Sequence, residues 1–326
     1  MTRLQEMIGL TPKALNAVAA MDISAAAQRL RPAGRLLLTG TGTSHHAAQL
    51  GAYLLRGAGL DAQAVACSEL VRWHPPLRDG DGLIVITHTG QTAYARAARA
   101  AALEAGVPLL SITGPRVQWP EAVHTPITEE SETYTVSYIT ALGVLGLLAH
   151  ELTGVDSGHD ALGLAAGSLA AVIADPEIAA IEPPRRALTL VGPGIWSVTA
   201  REGALKLREA AHLLAEGYDS ELLLHGSAVP LGREDVLIAL APEADADGLT
   251  AAVLQAAARE GVRTHTLSGE PGAQTPAEVF IAQLLTGVRL QLLAAQFAHA
   301  RHTDPDVVIT GAWTDDALWS AGSPRS

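Results

Sequence analysis

Two kinds of apolar pattern alternate along the chain. Short runs such as Leu36 to Leu38 and Leu83 to Ile86 are apolar at every position, and between them lie long stretches rich in Ala and Leu. Unbroken runs mark strands buried on both faces. Their alternation with helical stretches predicts parallel strands joined by right-handed crossovers, with helices covering both sides of the sheet.

The pattern occurs twice. GRLLLTGTGTSHHAAQLGAYLL, from Gly34, has a counterpart in RALTLVGPGIWSVTAREGALKL, from Arg186, and both read as strand, Gly-x-Gly, helix. Further on, Gly106 and Gly261, which end the second helix of each copy, lie 155 positions apart, and so do Gly114 and Gly269. The spacing predicts two copies of one α/β unit, over 31–155 and 184–305. A helical lead-in occupies 1–30, a connecting helix and linker 156–183, and a tail 306–326. Pro183 and Pro184 would stop any helix there. The tail's Trp313 and Trp319 are expected to pack on another surface.

Composition narrows the class. The chain has 326 residues, 48% hydrophobic and 17% charged, enough for a sizeable core. A net charge of −12 argues against nucleic acid or an anionic membrane as partner, so any anionic ligand must be held locally. The single cysteine, Cys67, suits a reducing cytoplasm. No signal peptide is expected in MTRLQEMIGLTPKAL, nor any apolar segment long enough to span a bilayer. Lysine occurs only at Lys13 and Lys206.

Two loops have the composition of an oxyanion cradle. Thr41-Gly42-Thr43-Ser44 follows the strand at Leu36 to Leu38, and Thr87-His88-Thr89-Gly90-Gln91-Thr92 follows Leu83 to Ile86. Each places hydroxyls and backbone amides where a strand gives way to a helix N-terminus, and glycine permits close approach. A plainer reading is that Ser and Thr cap helices and Gly makes turns. Two such loops in adjacent strands favour a site. The Gly40-x-Gly42 pair lacks the third glycine of a dinucleotide fingerprint, so no nucleotide cofactor is expected. In the second copy the corresponding loop is Ala241-Pro242-Glu243-Ala244, which has no hydroxyl and adds a carboxylate. Phosphate binding there looks lost, so the second copy should contribute something else.

That contribution is expected in AREGALKLREAAHLLAEG. Glu202, Lys206 and Glu209 fall at i, i+4 and i+7, on one helix face. An exposed salt-bridge ladder would have this spacing too. Here the helix opens just after Gly192-Pro193-Gly194, at the carboxyl edge of the sheet, where one of the carboxylates could move a proton. His225 follows in SELLLHGS. The pairs His45/His46 and His299/His302 lack a third ligand at metal spacing, and no metal is assigned.

GTGTS, THTGQT, EGALKLRE and AEGYDSELLLHG, with the lead-in LQEMIGLTPKALNAV, together resemble the SIS (sugar isomerase) family. The likeness is greatest to the isomerase half of glutamine–fructose-6-phosphate aminotransferases and to related sugar-phosphate isomerases and deaminases. The resemblance implies an α/β fold of two tandem SIS domains, each a three-layer αβα sandwich around a parallel flavodoxin-like sheet. By position, it implies that Thr87, His88, Thr89 and Thr92, with Thr43 and Ser44, hold a sugar phosphate. Glu209 would move a proton between C1 and C2, beside Glu202 and Lys206, and His225 would open the sugar ring from a neighbouring subunit. A homodimer with its active site at the subunit interface follows, and Glu69 in CSEL would lie at that interface.

There are departures. The family's tail lysine, which forms a Schiff base in the aminotransferases, has no counterpart between Thr303 and Ser326, and EESETYTVSYIT lacks the lysine of the family's V-A-S-T-K block. No glutaminase segment or nucleophilic cysteine opens the chain, so glutamine-dependent amination is not expected. The reading is a cytoplasmic phosphosugar isomerase-type enzyme for a hexose 6-phosphate, with or without loss of an amino group or amino acid. A non-catalytic phosphosugar sensor is the alternative.

Overall fold

The structure is a computed structural model, and it describes residues 1–269 and 272–318. In chain order the helices are α1 (Arg3–Ala19), α2 (Ser24–Leu30), α3 (Thr43–Gly57), α4 (Cys67–Arg72), α5 (Ala93–Ala105), α6 (Val136–Thr153), α7 (His159–Ala174), α8 (Trp196–Ala211), α9 (Ser220–Leu222), α10 (Leu249–Arg259) and α11 (Pro276–Ala300). The strands are β1 (Arg35–Gly40), β2 (Ala62–Ala66), β3 (Asp81–Ile86), β4 (Leu109–Thr113), β5 (Ala122–His124), β6 (Ala187–Gly192), β7 (Leu214–Asp219), β8 (Val236–Leu240) and β9 (Arg263–Leu267). They form two parallel sheets, one in each of two compact units.

The five-stranded unit contains Leu10–Glu130, Tyr134–Gly167 and the described residues that follow Val308. Its strand order is β2-β1-β3-β4-β5, with Leu36 opposite Ala62 on one side of β1 and Leu37 opposite Leu83 on the other. The sequence pattern explains the burial. Every residue of β3 and β4 is buried, as strands sandwiched between two helical layers must be. On one face Leu37, Val65, Leu83, Val85 and Leu109 pack against Ala95, Ala98 and Ala102 of α5 and against Cys67 and Leu70 of α4. The opposite face receives α3, where the missing side chain of Gly51 makes room for Leu145 of α6 and Leu38 of β1.

The four-stranded unit contains Met1–Gly9, Ser131–Thr133 and Ser168–Val308. Its order, β7-β6-β8-β9, repeats the first four positions of the other sheet. Val191, Leu237 and Ala239 pack with Leu223, Val253 and Val262 on one face. On the other, Gly203 lets α8 and α11 approach until Leu290 fills the space where its Cβ would stand.

Two expectations are corrected. By length and composition, α6 and α11 could each cross a membrane, although 78% of each apolar window is buried inside the fold, as core helices require. Gly and Thr punctuate both runs and hide their apolar length in the sequence. Trp313 is 74% exposed instead of packed away, and Trp319 lies outside the described residues.

Candidate functional site

The β2-β1-β3-β4-β5 order reverses direction between β1 and β3, and crevices at such switch points are where open parallel sheets bind ligands. The two hydroxyl-rich loops leave the sheet there. Gly40 ends β1 so close to α3 that a Cβ would stand 2.5 Å from the Ser44 backbone, and Gly42 takes a positive φ of 56° to start the helix. The four-stranded unit repeats the device: Gly192 closes on Trp196, and Gly194 has φ 52°.

The capping explanation can be tested directly. Neither Gly42, the N-cap of α3, nor Thr92, the N-cap of α5, provides a side-chain cap, and the Ser44 and Thr92 hydroxyls make no hydrogen bond among the described residues. Thr43 and Ser44 occupy the first turn of α3. Thr87 is buried and continues the sheet, its N–H donating to the Ile112 carbonyl at 3.0 Å. Thr89 Oγ1 accepts from the Gln91 N–H at 3.2 Å, and Gly90 turns with φ 68° against Val117 and Trp119.

His88 does something the sequence did not reveal. Its carbonyl accepts from the Gly114 N–H at 2.8 Å, and its Nε2 accepts from the Glu129 N–H at 2.9 Å. Burial, with Arg116 nearby, pushes the imidazole down to about 4. The ring is therefore neutral at physiological pH, and it braces the loop without adding positive charge. Glu129 extends the brace: its Oε2 accepts from the Thr135 N–H (2.8 Å), the Ser137 N–H (3.1 Å) and the Ser137 hydroxyl (3.1 Å) at the start of α6. An acidic residue just ahead of a long apolar helix was the available signal.

In the four-stranded unit the position of Thr89 is taken by Glu243, whose carboxylate accepts from the Gly269 N–H at 2.6 Å and the Ser268 hydroxyl at 2.9 Å. The protein's own anion already engages these donors.

On α8, Glu202, Lys206 and Glu209 form one cluster. Lys206 Nζ lies 2.6 Å from Glu209 Oε2 and 3.6 Å from Glu202 Oε1, and it also donates to the Thr133 carbonyl. The Lys206 and Glu202 side chains are buried, while that of Glu209 is 21% exposed. One ammonium faces two carboxylates in a poorly hydrated setting. Burial pushes the Glu209 carboxyl up to about 7, Lys206 pulls against that rise, and Glu202 adds to it. A carboxyl that exchanges its proton near neutrality, with one edge open to solvent, has the proton affinity that general acid–base chemistry at neutral pH requires. The exposed ladder that this spacing could also have meant is not what forms.

His225 lies elsewhere in the same unit. It sits in a kinked turn over Leu223–Ser227, with Gly226 at φ 105°, and its ring is 72% exposed. Nε2 stands 3.6 Å from Glu221 Oε1, and His225 makes no hydrogen bond or ion pair with the α8 cluster among the described residues. Glu69 is exposed on α4.

Residues 29–150 match the SIS domain family. Over 310 residues, 86% of this chain and 51% of the relative, the sequence is 30% identical to a glutamine–fructose-6-phosphate aminotransferase (isomerizing) from Pyrococcus horikoshii. The chain spans about half the length of the curated relatives it matches. The C-terminal domain of glucosamine-fructose-6-phosphate aminotransferase from Francisella tularensis has a similar fold, with TM-score 0.76, 19% identity and coverage of 94% of this chain and 98% of that one. Tagatose-6-phosphate ketose/aldose isomerase from Escherichia coli is similar too, with TM-score 0.77, 19% identity and coverage of 96% and 97%.

Proposed function

We propose that the protein is a phosphosugar isomerase built from two SIS-type units, acting on a hexose 6-phosphate with or without an amino substituent. The observation that carries this reading is Glu209: a partly exposed carboxyl, poised near neutrality by burial, beside two buried charged side chains of the same helix face, Glu202 and Lys206. The phosphate is held by Thr43 and Ser44 at the start of α3 and by the Thr87–Thr92 loop, where the Ser44 and Thr92 hydroxyls and the two helix N-termini complement an oxyanion. Glu209, as carboxylate, takes the C2 proton of the open-chain aldose. The C–H electron pair forms the C1–C2 double bond of an enediol, and the C1 carbonyl oxygen gains a proton. The resulting carboxylic acid returns its proton to C1 as the C2 oxygen becomes the carbonyl and loses its hydroxyl proton. Lys206 and Glu202 set the affinity of Glu209 for that proton.

His225 is proposed to open the sugar ring from a second copy of the chain. Its exposure, and the exposed Leu222, Leu224 and Val229 around it, support a homodimer that covers this turn. The similarity to isomerases and aminotransferases supports the substrate class. Titrating the protein calorimetrically with a panel of hexose and amino-hexose 6-phosphates, then following the ligand that binds by NMR in deuterated water, tests the reading. Binding with deuterium entering C1 or C2 supports it; binding without exchange would instead mark a sensor.

A further inference from the structure

We propose that the outer face of α5 carries a second binding site, one for a small planar organic anion. A cleft of about 500 Å³ is lined there by Ala93, Arg96, Ala97, Arg99, Ala100 and Trp119. Its volume is that of a small-molecule pocket. Ala93, Ala97 and Ala100 fall at i, i+4 and i+7, so one stripe of the helix offers only methyl groups and leaves the cleft open.

The walls are preorganised. Arg99 donates to Glu121 through Nε at 2.6 Å and Nη2 at 3.0 Å, and Glu121 is itself fixed by the Ser111 hydroxyl at 2.9 Å. This clamp holds the Arg99 guanidinium 4.6 Å from the centroid of the Trp119 ring, making a flat wall on which a planar group can stack. Arg99 spends its charge on Glu121. Arg96 does not: it is exposed, and its side chain makes no hydrogen bond or ion pair among the described residues. In a chain with 34 acidic and 22 basic residues, an uncommitted guanidinium at the rim of an apolar cleft is the complement of an anion on a flat body.

The site is separate from the isomerase reading and does not depend on it. Two probes carry the chemistry, 2-naphthoate and adenosine 5′-monophosphate, titrated calorimetrically into the full chain, with 2-naphthol and acetate as half-probes. At least one charged planar probe is expected to bind more tightly than either half-probe, and the tighter of the two tells whether the natural anion is a carboxylate or a phosphate. Arg96→Glu is expected to weaken that binding by about tenfold or more, and Ala97→Phe, which fills the floor, likewise. Thr89→Val should leave it unchanged. The proposal is overturned if neither probe binds, if affinity survives both cleft variants, or if it is lost on Thr89→Val, which would place the probe in the phosphate loop.

Discussion

Lys206 Nζ sits 2.6 Å from Glu209 Oε2, yet the carboxyl is not held in its ionised form, because burial outweighs the attraction of a cation shared with Glu202. The usual effect of a salt bridge on a carboxylate is reversed here by desolvation.

That reversal fixes a pH dependence. The folded-state value of about 7 lies above the roughly 4.3 of an unfolded glutamate, so the folded chain holds the extra proton between those limits. The contribution of Glu209 to stability is present below the unfolded value and is lost as pH rises through about 7. Chemical denaturation of wild type and Glu209→Gln across pH 4 to 8 should show a relative loss for wild type of about 3 kcal/mol over that window.

Lys206→Met should do more harm than its size suggests. It removes the ammonium that Glu209 and Glu202 share, and breaking a buried pair in this way costs about 3–5 kcal/mol. The acid limb of kcat/KM should move to higher pH in whatever folded enzyme remains, because Glu209 loses the group that lowers its proton affinity. Urea unfolding and a pH–rate profile measure the two effects.

Thr92→Val separates anion binding from helix capping. A working cap would lose about 1 kcal/mol on this change. Since Thr92 provides no cap to α5, the melting temperature should hold while calorimetric affinity for the sugar phosphate falls about tenfold.

Gly40→Ala places a methyl 2.5 Å from the Ser44 backbone, so β1 and α3 must separate. The expected cost is about 1–3 kcal/mol of stability. A drop in phosphate affinity should accompany it, because Thr43 and Ser44 move with the helix. Thermal unfolding and calorimetry on one preparation report both.

Much of this was legible in the sequence because it is written in periodicity. Unbroken apolar runs at β1, β3, β6 and β8 gave the parallel sheets, and the spacing of Glu202, Lys206 and Glu209 gave a shared face. Spacing could not say whether that face was wet or buried, which tertiary packing settles and which decides the proton affinity of Glu209. His88 looked like a ligand for phosphate because it stands among hydroxyls, but its ring is turned to the Glu129 backbone by contacts 41 residues apart in the chain. Arg99, Trp119 and Glu121 escaped notice for the same reason. Each is ordinary alone, and only folding makes them a wall.

Deuterium exchange at C1 and C2 of the bound hexose 6-phosphate, compared between wild type and Glu209→Gln, tests the central claim most directly. The account predicts exchange with wild type and a loss of about a thousandfold or more in the variant, with phosphate affinity retained. Exchange that continues undiminished without the Glu209 carboxyl would contradict it.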